Sequence, residues 1–288
     1  MTDVRVAAVQ MTSGTDVEAN LDAATQLLGE AAASGAKLAV LPENFAVLAA
    51  DEAGRLSIAE PPDGGPVQEF LAEQARAHSM WLIGGTTPIL GAESSRAYAA
   101  SLLYDPDGQC RARYDKIHLF DVGVPGAEES YRESATAIPG TMPVSFAAPF
   151  ARIGMAVCYD VRFPALFDQL GALGLDILSL PAAFTVPTGE AHWYVLLRAR
   201  AVESLCYVVA AAQYGEHTGG RRTYGHSMIV GPWGEVLAER PSGSGVVTAD
   251  VDMIRLESLR ARFPALEHRR NFHRPDTLTE SGRETSQS

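Results

Sequence analysis

The chain has 288 residues, 47% of them hydrophobic, and its 23 basic and 35 acidic side chains give a formal charge of −12. That size and apolar content suit one large domain with a substantial core, and the acidic balance disfavours nucleic acid or an anionic membrane as partner, since both demand a basic surface that replaces counterions. Cys110, Cys158 and Cys206 lie far apart and form neither a disulfide framework nor a Cys-x-x-Cys motif; with no signal-peptide core and no apolar run long enough to span a bilayer, a soluble cytoplasmic protein is expected.

Residues 4–9 read as a first buried strand, and Thr15-Asp16 then caps a helix that Gly35 closes. A short apolar strand at 38–41 ends in Pro42-Glu43-Asn44, leaving a glutamate just past a buried strand. An amphipathic helix at 64–79 feeds a strand at 81–86. Segments 97–104 and 110–114 flank Asp105-Pro106-Asp107-Gly108, which is hairpin turn chemistry. Lys116 follows at a strand end between Tyr114 and Ile117. Residues 122–140, with Glu128, Glu129 and Glu133, are loop-like, and a loop that long in a compact domain is usually functional.

Residues 153–157 form a short apolar strand that breaks at Cys158 into Tyr159, Asp160 and Arg162, and Pro164 suits the first turn of a helix at 165–173. A strand at 176–180, a loop at 182–190, a helix at 192–205 and a strand at 206–212 follow. The tip 216–222 is polar, three strands are expected near 227–230, 235–238 and 245–251, and a last helix covers 253–261. Residues 1–272 are expected to form one domain and 273–288 a polar tail. The alternation implies an α/β fold in helix–sheet–sheet–helix layers.

Taken singly, Glu43 reads as a solvated carboxylate, Lys116 as a surface ion pair, and Cys158 as well core filler as nucleophile. All three, however, stand at the ends of apolar strands, and such ends can gather at one mouth of an α/β sheet. A thiol, a carboxylate and an ammonium make a coherent amide-cleaving set of nucleophile, proton carrier and oxyanion holder.

Leu41-Pro42-Glu43, Tyr114-Asp115-Lys116-Ile117-His118 and Cys158-Tyr159-Asp160-Val161-Arg162-Phe163-Pro164 resemble, in order and interval, the signature segments of the nitrilase, or carbon–nitrogen hydrolase, superfamily. The resemblance runs from about Val4 to about Asn271. It implies an α-β-β-α sandwich, a homodimer or larger assembly, no cofactor, no metal, and catalysis by Glu43 as base, Lys116 as oxyanion holder and Cys158 as nucleophile. Glu133 in Tyr131-Arg132-Glu133-Ser134 matches the family's second glutamate.

Residues 191–203 and 224–234 look like the Nit subfamily. The stretch 206–213 resembles the deaminated glutathione amidases, and 118–126 the sister omega-amidases. The implied substrate is a small 2-oxo acid carrying a distal amide, with Tyr159, Arg162 and His192 as expected substrate contacts. A nitrilase or other small-amide or carbamoyl hydrolase is the alternative within the superfamily. A papain-like Cys–His hydrolase using His118 or His192 has no place for Lys116 and Glu43, and no Gly-x-Ser-x-Gly supports a serine hydrolase. A binding protein without turnover would not need the complete set.

Overall fold

Two β-sheets packed face to face carry the site. In a computed structural model that describes residues 3–49, 52–92, 95–123 and 130–270, one sheet has eight strands and the other six. The first is built on the parallel strands Val4–Gln10, Leu38–Val40 and Trp81–Ile83, with helices Val17–Ala33 and Pro66–His78 in the crossovers. The second repeats the plan with Arg152–Met155, Ile177–Ala182 and Tyr207–Ala212, crossed by helices Pro164–Ala172 and Val186–Ser204. Antiparallel strands flank both centres. The hairpin of Ala97–Tyr104 with Cys110–Asp115 turns where expected, and Asp105 Oδ1 accepts from the backbone N–H of Asp107 (3.0 Å) and Gln109 (2.9 Å).

The two-residue period of the strands sorts side chains between layers. Val6, Ala8, Leu38 and Val40 point into the core shared with Ile153, Met155 and Ile177 of the other sheet. Their neighbours Ala7, Val9, Ala39 and Leu41 pack under Ala24, Leu28, Ala31 and Leu71 of the two helices. Each sheet therefore buries one face against the other sheet and one against helices, giving the α-β-β-α sandwich. Asp16 caps the first helix by accepting from Ala19 N (3.2 Å), and Gly35, at φ 85°, carries the chain away from it.

Three features differ from the sequence expectation. The last strand, Gly245–Val251, leaves the half that precedes it and pairs with Val4–Gln10 of the first sheet, so the halves are tied by a strand exchange. The helix expected from His192 starts a turn and a half earlier, at Val186, with Thr185 as N-cap and Pro187 in its first turn. The segment expected as a loop at 122–140 holds strand Ser130–Arg132, paired antiparallel with Asp121–Gly123, and a 3-10 turn, Glu133–Ala135. Residues 124–129 of that loop, including Glu128 and Glu129, and the tail 273–288 lie outside the described residues.

Candidate active site

The strand Arg152–Met155 ends at a sharp corner. Ala156 N still donates to Ser179 O (3.1 Å), and then the chain tightens into the 3-10 turn Cys158–Arg162. Cys158 sits at φ 47°, a left-handed conformation that costs an L residue roughly 1–2 kcal/mol. The buried carboxylate of Asp160 holds the corner in place. Its Oδ2 accepts from Val157 N (2.9 Å) and the Tyr114 hydroxyl (2.7 Å), and its Oδ1 accepts from His118 N (3.0 Å). Tyr114 and His118 flank Lys116, so this one side chain ties the Cys158 turn to the lysine's strand end.

Lys116 extends the strand Cys110–Asp115, its N–H donating to Ala99 O (3.0 Å). Only 2% of the residue is exposed, and its Nζ is 2.8 Å from Glu43 Oε1 and 2.9 Å from Glu133 Oε2. Glu133 Oε2 also accepts from Phe120 N (2.7 Å), and Arg55 Nη1 lies 3.6 Å from Glu133 Oε1. Carboxylate, ammonium, carboxylate and guanidinium thus alternate in a buried row. Burial works against charge on Lys116, but Glu133 and Glu43 outweigh it and hold the ammonium above its ordinary value. Burial likewise works against Glu133, but Lys116 and Arg55 hold it below the usual carboxylate range.

Glu43 follows the strand Leu38–Val40 through Leu41, whose N–H donates to Ile83 O (2.9 Å). Its loop is wedged from two sides. Gly85 (φ 53°) approaches so closely that a Cβ there would stand 2.0 Å from Pro42 O, so only glycine allows the contact. On the other side the buried Gln213 amide donates to Glu43 O (3.1 Å) and to Ser13 Oγ (2.8 Å). Glu43 and Cys158 line the same cavity wall, with Ala183 beside them. Burial, then the charge of Glu43, push the thiol well above its ordinary value, with Lys116 opposing them. The sulfur therefore rests as a thiol.

These groups line one cavity. Glu43, Lys116, Glu133 and Cys158 meet on its wall, and Tyr159 and Arg162 also line it. His192 does not reach it. That side chain is exposed on the helix Val186–Ser204 and touches the site only through Arg162, whose Nη1 is 3.2 Å from His192 Nδ1. The helix runs a turn and a half longer than expected and presents Thr188 instead. Arg55 and Arg221 line the cavity too. Neither carries a local sequence signal. Arg55 belongs to a one-turn helix, Glu52–Leu56, and Arg221 to what reads as a polar hairpin tip. Among the described residues no group of three or more His, Cys, Asp or Glu could hold a metal ion.

Residues 5–261 match the carbon–nitrogen hydrolase family. A deaminated glutathione amidase from Yersinia enterocolitica is 42% identical over 94% of this chain and 94% of its own length. The crystal structure of the C. elegans NitFhit protein superposes with a TM-score of 0.85 and 37% identity, covering 93% of this chain and 65% of that one, so this chain spans less than two thirds of that protein. An amidase from Nesterenkonia sp. AN1, solved after Michael addition of acrylamide at its active site cysteine, gives a TM-score of 0.73 at 26% identity over 91% of this chain and 98% of that one.

Proposed function

Since this chain belongs to the carbon–nitrogen hydrolase family, we propose that it is an amidase that cleaves a small 2-oxo acid amide, such as deaminated glutathione or 2-oxoglutaramate, through a thioester on Cys158. The observation that carries the reading is that Cys158 shares one cavity wall with Glu43, which is itself bonded to a buried ammonium. Sγ attacks the amide carbon while Glu43 takes the thiol proton. Lys116 Nζ, aided by the Tyr159 N–H, holds the oxyanion of the tetrahedral intermediate. Glu43 returns the proton to the departing amine, then takes one from water as that water attacks the thioester. The products are the free acid and the amine, and the thiol is restored. Glu133 positions Lys116, and Arg162 offers a cation to the substrate's carboxylate.

Release of ammonia or amine from a panel of 2-oxo amides, simple amides and nitriles tests this. Turnover of the 2-oxo amides is expected. Release from nitriles alone would replace the reading with a nitrilase, and release from none would leave a binding protein.

We also infer a cytoplasmic homodimer or larger assembly that binds neither nucleic acid nor membrane. In support, no helix among the described residues is long and apolar enough to cross a membrane, and the net charge is −12. Val195 and Val202 are exposed on the helix Val186–Ser204, and Trp233 is exposed as well. Light scattering after size exclusion should return at least twice the 30.7 kDa chain mass; a monomer at micromolar concentration would refute it.

A further inference from the structure

A closed belt of contacts rings the cavity. Tyr159 meets Phe120 edge-on with ring centroids 5.1 Å apart, and Phe120 leans on Tyr131 at 5.1 Å. The Arg221 guanidinium lies over Tyr131 (5.1 Å), and its Nη2 donates to Ala183 O (3.0 Å). Arg162 closes the belt, lying over the Phe184 ring (5.3 Å) and the Tyr159 ring (5.8 Å).

The belt thus carries two guanidinium groups from different elements, and among the described residues neither has a carboxylate within 4.0 Å. Arg221 Nε is moreover buried without a hydrogen-bond partner. The cations deeper in the site are matched, Lys116 by Glu43 and Glu133, and Arg55 by Glu133. Two unmatched guanidinium groups in one cavity repel each other and leave donors unused, and a ligand with anionic groups answers both.

Their supports differ. Arg162 shares the Cys158–Arg162 turn with the nucleophile, so it stays beside whatever is esterified to the sulfur. Arg221 is tied instead to the loop of Glu43. His217 N donates to Arg221 O (2.8 Å), His217 Nδ1 lies 2.8 Å from Ser13 O, and the Gln213 amide joins Ser13 Oγ to Glu43 O. Glu43 is the group that hands a proton to the departing amine.

Resting on the amidase reading above, we propose that Arg221 is a specificity residue that binds a carboxylate on the leaving-amine half of the substrate, while Arg162 binds one on the acyl half. The favoured substrate is then an N-substituted amide with an anionic group on each side of the scissile bond, in preference to a primary amide with one.

The test compares kcat/KM for N-carboxymethyl-2-oxoglutaramate, a dianion, with that for 2-oxoglutaramate, a monoanion, in the parent, R221Q, R221K and R162Q. The parent should favour the dianion. In R221Q the dianion-to-monoanion ratio should fall by about 10–100-fold, and in R221K by less, since the charge remains but the fork is lost. In R162Q both values should fall with the ratio kept within about threefold. A parental ratio in R221Q, or an equal ratio change in R162Q and R221Q, would overturn the assignment while leaving the amidase reading intact. A parent protein that cleaves neither amide would overturn both. Melting temperatures of all variants within a few degrees of the parent exclude misfolding as the cause.

Discussion

Cys158→Ala is expected to lower kcat/KM for amide hydrolysis by at least about 10⁴-fold, because without a nucleophile the carbonyl must be attacked by water directly. The fold should survive. The substitution removes one sulfur from a buried corner but leaves in place the strand Arg152–Met155 and the bonds that Asp160 makes to Val157, Tyr114 and His118. A loss near 1 kcal/mol corresponds to a melting shift of about 2–4 °C for a chain this size. Glu43→Gln tests the proton carrier of both half-reactions in the same assay. The amide of glutamine can bond to the thiol but can neither take its proton nor activate water, so thioester formation and its hydrolysis should both stall. Steady-state release of amine, mass spectrometry for a thioester on Cys158 and a thermal melt are the readouts. Retained turnover in Cys158→Ala would remove the nucleophile assignment, and a fully active Glu43→Gln would remove the base.

The parts of this site that were legible in the sequence are those set by local pattern. Glu43 and Cys158 follow apolar strands and Lys116 follows the hairpin strand Cys110–Asp115, and the strand period places such residues at sheet ends whatever the partner. What was not legible depends on partners remote in the chain. Gln213 bonds to a carbonyl 170 positions away, and Tyr114 to a carboxylate 46 positions away. Nothing around Gln213, Asp160 or Arg221 announces such a partner. The strand exchange of Gly245–Val251 is hidden for a related reason, since an alternating strand fits the edge of either sheet. The start of the helix Val186–Ser204 was a different failure. Thr185-Val186-Pro187 is a helix-start signal, but Pro187 and Gly189 together read as loop. Gly189 is in fact a helical residue kept small by packing, since a Cβ there would stand 2.2 Å from the Tyr224 ring. The earlier start brings Thr188 to the cavity, and His192, the expected helix start and an expected substrate contact, lies outside it.

Lys116→Met should damage stability as well as catalysis. Methionine fills much of the buried lysine stem, so lost packing is the smaller part of the effect. The larger part is that Glu43 and Glu133, both buried, lose the ammonium 2.8 and 2.9 Å away, and only Arg55, 3.6 Å from Glu133, remains. Removing one partner of a buried ionic set costs about 3–5 kcal/mol at neutral pH, or roughly 6–20 °C in melting temperature for this chain length. The pH dependence identifies the cause. In the parent, Glu133 is held below the usual carboxylate range, so its share of the stability is fully present above about pH 4.3 and is lost as the pH falls through its lower folded value. In Lys116→Met the main opposing charge on Glu133 is gone, burial raises that carboxylate instead, and protonating it relieves the strain. The melting-temperature gap between parent and variant should therefore narrow steadily from pH 8 to pH 5. Loss of the oxyanion holder should at the same time reduce kcat by about 10²–10³-fold or more. A gap that is flat across that pH range would mean that Lys116 acts mainly through packing, and parental kcat in the folded variant would take it out of the oxyanion role.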